Sequence, residues 1–160
     1  MKRKRKAESE KSLYLQWISC CRAIKSIIFE SDSVMNEMTK LVLVLGSNTD
    51  PESNMAMAKQ LLASMFKNVT FSGELWTAPI GIASGRFLNC LAVGYTGHGY
   101  NQVQQALKRL ETKIGNTKAN RLKGIVKIDV DVLKYGDRKY HTDDWERGYV
   151  QQLICQLGVE

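Results

Sequence analysis

Ile128-Asp129-Val130-Asp131-Val132 is the stretch on which the fold turns. Side chains of a strand alternate between faces, so Asp129 and Asp131 share one face while Ile128, Val130 and Val132 share the other. The apolar row belongs against a core, and the acidic row belongs at water or at a cation. Two residues of extended chain separate the aspartates by roughly 6.5–7 Å. Like charges that close raise each other's pKa unless a cation or a proton lies between them. Carboxylate pairs that share Mg²⁺ with substrate phosphates are a recurring resolution. The plain alternative is a solvated face of an amphipathic edge strand.

Upstream of this strand the pattern is orderly from residue 40 onward. Leu41-Val42-Leu43-Val44-Leu45 is a continuous apolar run, suited to a central strand buried on both faces. Gly46-Ser47-Asn48 ends it, and Asp50-Pro51 supplies an N-cap with proline at the first helical position. Met55, Ala58, Leu61, Leu62, Met65 and Phe66 follow at helical spacing. Val69 to Trp76 reads as a second strand with a bulge at Gly73, residues 77–85 as a loop, and Phe87 to Thr96 as a third strand. A second helix, capped by Asn101, carries Val103, Ala106, Leu107, Leu110 and Ile114 on one face and ends at Gly115. A basic connector, Asn116 to Lys123, leads to the aspartate strand, which runs to about Tyr135. The Asp143/Glu146 spacing and Trp145, Val150, Leu153, Ile154 and Leu157 predict a last helix ending at Gly158. The order is βαββαβ with an extra C-terminal helix. That is a ferredoxin-like α+β two-layer sandwich, whose two helices lie on one face and whose other face is open to a site.

The 160 residues suffice for one domain with a real core. We expect residues 41–160 to form it and residues 1–40 to be a basic, flexible extension outside the core fold. Nine basic and five acidic residues fall in 1–40, and fourteen and eleven in the rest, so the net charge of +7 is no broad nucleic-acid footprint. The opening Lys2-Arg3-Lys4-Arg5-Lys6 reads as a basic arm or a solvated tail. Leu13 to Phe29, interrupted by Arg22 and Lys25, makes a poor signal-peptide core and a fair short amphipathic helix. Met35 and Met38 stand just ahead of the first strand, so a start codon placed too early is a further reading of this region. Cys20, Cys21, Cys90 and Cys155 show no CxxC and no metal-ligand spacing, and the strand position of Cys90 and helical position of Cys155 predict reduced, buried thiols in a cytoplasmic protein. No apolar run approaches a membrane span.

Three segments converge on the expected open face: Gly46-Ser47-Asn48, then Thr77-Ala78-Pro79-Ile80-Gly81 with Phe87-Leu88-Asn89, then Asp129 and Asp131. In this order and spacing they resemble the 6-hydroxymethyl-7,8-dihydropterin pyrophosphokinase family of folate biosynthesis, over about residues 41–135. The resemblance implies that Asp129 and Asp131 hold Mg²⁺ against the triphosphate of ATP, the co-substrate. It places Asn89 on the pterin's polar edge, Phe87 in the aromatic position of the pterin pocket, and Thr77, Pro79 and Ile80 in the loop that frames it. Glu111 matches a helix position near the nucleotide, and Lys118, Arg121, Lys123 and Lys127 keep the connector positive. In the family the pterin hydroxymethyl oxygen attacks the β-phosphorus of ATP and AMP leaves. Residue chemistry agrees, since Phe87 and Asn89 are two apart on a strand and pair a stacking surface with a donor–acceptor amide.

The chain also departs from the pattern. Asn116 and Val126 stand where arginines are expected and Lys123 where a tryptophan is, and lysine does not reproduce a planar bidentate clamp. Downstream of Asp131, where the family has a His-Pro segment and a further arginine, His141 and Arg147 are the residues of matching type, and the chain is short beyond them. The expected activity is Mg²⁺-dependent transfer of pyrophosphate from ATP to the pterin by a monomer or weak dimer, with no membrane and no nucleic acid as partner. Two other readings stay open. One is a homologue, impaired in catalysis, that binds a pterin or a nucleotide. The other is a ferredoxin-like RNA-binding module, although the strands lack the paired aromatic motif such readers use.

Overall fold

The run Leu41–Leu45 becomes the middle of β1 (Thr39–Ser47), with neighbours on both sides. The structure is a computed structural model that describes residues 38–80 and 84–159. The expectations for the basic arm, for Leu13–Phe29, for Cys20 and Cys21, and for Gly81 to Ala83 lie outside the described residues. After β1 come α1 (Pro51–Met65), β2 (Lys67–Phe71), β3 (Leu75–Thr77) and β4 (Phe87–Thr96). Then follow α2 (Tyr100–Ile114), α3 (Lys118–Leu122), β5 (Asp129–Tyr135), β6 (Arg138–Lys139), α4 (Thr142–Trp145) and α5 (Gly148–Leu157). The sheet is antiparallel, in the order β2-β4-β1-β5-β6, with β3 also paired to β4. This is the α+β arrangement expected from the order of elements.

Alternation along β1 divides the interior in two. Leu41, Leu43 and Leu45 join Cys90, Ala92, Ile128, Val130 and Val132 beneath Met55, Ala58 and Leu62 of α1 and Val103, Leu107 and Leu110 of α2. Val42 and Val44 join Leu91, Val93 and Leu133 beneath Trp145, Val150, Leu153 and Ile154. The second face is therefore not wholly open, because the extra C-terminal helix lies across part of it. The apolar run of β1 already demands this cover, since Val42 and Val44 would otherwise face water.

Several boundaries differ from the sequence reading. The edge expected as one strand over 69–76 is broken at Ser72–Glu74 into β2 and β3. Ser72 keeps the alignment by donating its N–H to Leu91 O, and its Oγ accepts from Leu91 N. Gly73 N–H donates instead to Gln156 Oε1 on α5, at 2.9 Å. The second helix starts one residue before Asn101, capped at Gly99, whose N–H donates to Gln102 Oε1. Gly115, at φ +96°, ends it in the left-handed region as expected. The last helix is two helices, because Arg147 is extended and restarts the chain as α5. Trp145 pins the break by donating Nε1–H to Leu133 O and Tyr140 O. Asp143 caps nothing, and His141 is the residue ahead of α4. The thiol of Cys90 is buried in the sheet as expected, and burial pushes its pKa up, so it is an inert core thiol. Cys155, expected to be buried, is exposed instead, because it falls on the outer face of α5. No helix among the described residues is long and apolar enough to cross a membrane.

Candidate active site

Two rows of residues cross the uncovered end of the second face. Gly46 of β1 lies between Asn89 of β4 and Asp129 of β5, and Val44 lies between Leu91 and Asp131. On the outer side of β4, Leu75 pairs with Asn89 and Thr77 with Phe87. Antiparallel register thus puts an amide, a gap and a carboxylate side by side on three strands. Gly46 is that gap. A Cβ there would stand 3.3 Å from Asn89 Oδ1 and 3.6 Å from Phe87 Cδ1. The missing side chain makes the floor of a cleft of about 220 Å³, and Phe87, Asn89, Asp129 and Asp131 all line it.

Asn89 is 5% exposed, and its orientation follows from its neighbours. Nδ2 donates to Thr77 Oγ1 at 2.8 Å and lies near the carbonyls of Leu75 and Phe87, which only a donor satisfies. Oδ1 is left over Gly46 as an acceptor without a partner among the described residues. Thr77 therefore works from behind, holding the amide with its carbonyl oxygen over Gly46 in the cleft.

The two aspartates differ in their surroundings. Asp129 Oδ1 accepts from Arg121 Nη2 at 2.8 Å and lies 3.9 Å from Lys108 Nζ. Asp131 has no hydrogen bond or ion pair among the described residues. Burial, and then the charge of Asp129, push its carboxyl above the usual range, against the opposing pull of Lys108 and His141. An unpartnered, half-buried carboxylate beside a second one fits a hard divalent cation. Among the described residues no cluster of three or more His, Cys, Asp or Glu side chains is close enough to hold a metal. A bound ion would thus complete its shell with water and ligand oxygens, as Mg²⁺ ordinarily does.

The motif that ends β1 holds the connector in place. Asn48 donates from Nδ2 to Gly124 O at 2.7 Å and accepts at Oδ1 from Val126 N at 2.7 Å, while Ser47 Oγ donates to Lys127 O at 2.6 Å. Val126 is thereby set at the cleft wall. On the connector, α3 is capped by Thr117, whose Oγ1 accepts from Asn120 N.

Among the residues expected at the site, the cleft gathers Thr77, Ile80, Phe87, Asn89, Asp129 and Asp131. Pro79 falls outside its lining, as do Lys118, Lys123 and Lys127. Glu111 is 3% exposed and sits behind the aspartate strand, where its carboxylate accepts from Val130 N, Lys108 and Arg121. Asp144, Arg147 and Tyr149 also line the cleft. Arg147 was legible only as a residue of matching type, and the other two were not foreseen. Arg147 pairs with Asp144 at 2.8 Å, and Tyr149 adds a second aromatic side chain to that of Phe87. Their only signal in the sequence is the step from Arg147 through Gly148 to Tyr149 at the point where the helical pattern restarts.

The antiparallel α+β sheet, with an amide and a carboxylate pair around a small cleft, defines a domain of the ferredoxin-like class. Residues 42–158 match the family model for 7,8-dihydro-6-hydroxymethylpterin-pyrophosphokinase, and the chain belongs to that family. It is 31% identical over 138 residues to the mitochondrial folate synthesis bifunctional protein of Pisum sativum, a match covering 79% of this chain and 27% of the relative. With the folate synthesis bifunctional protein of Arabidopsis thaliana it shares 29% identity over 133 residues, covering 76% and 28% respectively. The chain thus spans little more than a quarter of the length of these relatives.

Proposed function

We propose that this domain transfers pyrophosphate from ATP to 6-hydroxymethyl-7,8-dihydropterin, with Mg²⁺, in folate biosynthesis. The observation that carries the reading is the row Asn89–Gly46–Asp129, which puts a ring-recognising amide and a carboxylate pair in one cleft. In this reading Asn89 Oδ1 accepts from the N–H edge of the pterin, and Gly46 lets the ring lie close to the sheet. Phe87 and Tyr149 supply apolar surface to its faces, and Thr77, Pro79 and Ile80 frame it. Mg²⁺, when bound, neutralises phosphate charge and polarises the β-phosphorus for attack. Asp129 and Asp131 are the residues that would hold that ion in the cleft. The new bond joins the hydroxymethyl oxygen to the β-phosphorus, the hydroxyl proton passes to water, the bond from that phosphorus to the α,β-bridging oxygen breaks, and AMP leaves. Positioning and charge carry most of such catalysis. Lys118, Arg121, Lys123 and Lys127 give the nucleotide side a positive field, and Glu111 sets Arg121. Free thiols at Cys90 and Cys155 support work in the reducing cytoplasm, by a monomer or weak dimer that uses neither membrane nor nucleic acid.

The test is AMP formation from ATP and the hydroxymethyl pterin, with and without Mg²⁺. Turnover that needs both substrates and the metal supports the reading. Binding of pterin or nucleotide without turnover would instead select the impaired homologue, which the replaced connector arginines favour.

A further inference from the structure

We propose that Arg121 is an internal counter-ion that Asp129 exchanges for metal, so that metal and nucleotide bind in a coupled step. This rests on the nucleotide reading above and goes beyond it. Arg121 Nη2 bridges two carboxylates, Asp129 Oδ1 at 2.8 Å and Glu111 Oε2 at 2.9 Å. Glu111 is anchored in turn, its Oε1 accepting from Val130 N at 3.0 Å and from Lys108 Nζ at 2.7 Å. The guanidinium is therefore parked on a fixed post, with one metal-site carboxylate as its second partner. Asp131, one strand repeat away, has no such cation among the described residues. Arg121 occupies Asp129 Oδ1, so a divalent ion that takes that oxygen together with Asp131 displaces it.

The surroundings permit that displacement. Helix α3 is five residues long and buries none of them, and the Arg121 side chain is 45% exposed. The side chain can swing on Glu111 without opening the core. It is also the single arginine of the connector over 116–127. A guanidinium released from Asp129 can pair instead with a phosphate, whose anionic oxygens accept its N–H groups in a charge-assisted bond. Metal frees Arg121 for phosphate, and phosphate draws Arg121 off Asp129 for metal. By linkage each ligand strengthens the other by one and the same factor.

The experiment titrates the full chain with Mn²⁺, followed by electron paramagnetic resonance, with and without a non-hydrolysable ATP analogue. Wild type is compared with Arg121→Ala and Arg121→Lys, each checked for folding by circular dichroism. Removing the counter-ion should tighten Mn²⁺ binding in the absence of nucleotide by fivefold or more. It should weaken the analogue by tenfold or more and shrink the coupling factor between the two. The Mn²⁺ gain should persist in 0.3 M KCl, where a long-range charge effect fades and a direct contact does not. Arg121→Lys should shift in the same direction by less, and it stands in should the alanine variant not fold. Mn²⁺ affinity that is unchanged or weaker in the folded variants overturns the exchange while leaving the enzymatic reading intact. A wild type that binds neither Mn²⁺ nor the analogue overturns both.

Discussion

Asp131 is where stability and the proposed function pull apart. Its carboxyl is raised by burial and by Asp129, so the folded chain holds that proton more tightly than the unfolded chain does. The sign follows. Below the unfolded pKa, about 3.9 for aspartate, both states are protonated and there is no penalty. As pH rises through the unfolded and then the folded value, ionisation costs stability, and the full cost is present at neutral pH. Asp131→Asn should therefore melt higher than wild type at pH 7, with the gain vanishing towards pH 3.5, roughly the lower end of aspartate titration. The same variant should lose the thermal shift that Mg²⁺–ATP gives wild type. A destabilised Asp131→Asn at neutral pH would mean that the aspartate is structural. Asn89 makes the complementary case on the pterin side. Asn89→Ala removes the acceptor over Gly46 and strands Thr77 Oγ1, so affinity for a pterin analogue should fall by roughly 1–3 kcal/mol by calorimetry. Strand period alone assigned Asp129, Asp131, Phe87 and Asn89 to faces beforehand, while the part given to Asn89 came from the family resemblance. The tie between Arg121 and Asp129 was not, since residues eight apart across a short helix meet only once the connector is folded.

At the scale of elements, α5 decides how much of the second sheet face is open. Its anchor is the α4–α5 break, where Trp145 is 7% exposed and its indole N–H bonds to the β5 carbonyl of Leu133. Trp145→Ala should cost about 3–5 kcal/mol in denaturant unfolding, as large-to-small changes of buried aromatics do. It should also weaken pterin analogue binding, because Arg147 and Tyr149 of the cleft wall follow directly on that anchor. A variant that loses stability but keeps full ligand affinity would show that α5 braces the sheet and not the cleft. A single helix was expected over this stretch because Trp145, Val150, Leu153, Ile154 and Leu157 are compatible with one apolar stripe. The extended backbone of Arg147, imposed by docking Trp145 on β5, is a tertiary effect that no local spacing records. The kink between β2 and β3 was half legible. Gly73 marks the bulge, while its bond to Gln156 depends on a helix far away in sequence.

Over the whole molecule, the two apolar clusters draw their described members from residues 41–159, on the two sides of one sheet. Because β1 begins only at Thr39, we propose that residues 1–37, not the full 1–40 expected from sequence, are dispensable for folding, and a chain starting at Met38 should unfold within about 2 °C of the full-length protein. A drop of several degrees would correspond to about 1 kcal/mol at this size, and would assign packing to the N-terminal segment. The sequence by itself determined the βαββαβ order of the main elements, though not α3, β6 or the α4–α5 break, together with the burial of β1 on both faces, the shared face of the aspartates, and the motif set that pointed to the family. These are local properties, written in periods of 2 and 3.6 residues and in turn chemistry. Tertiary structure alone decided which side α5 covers, which carboxylate is neutralised and which is left bare, and that Asp144, Arg147 and Tyr149 close the cleft. Such facts depend on contacts between segments tens of residues apart, where register and packing select among many arrangements that the local pattern allows equally.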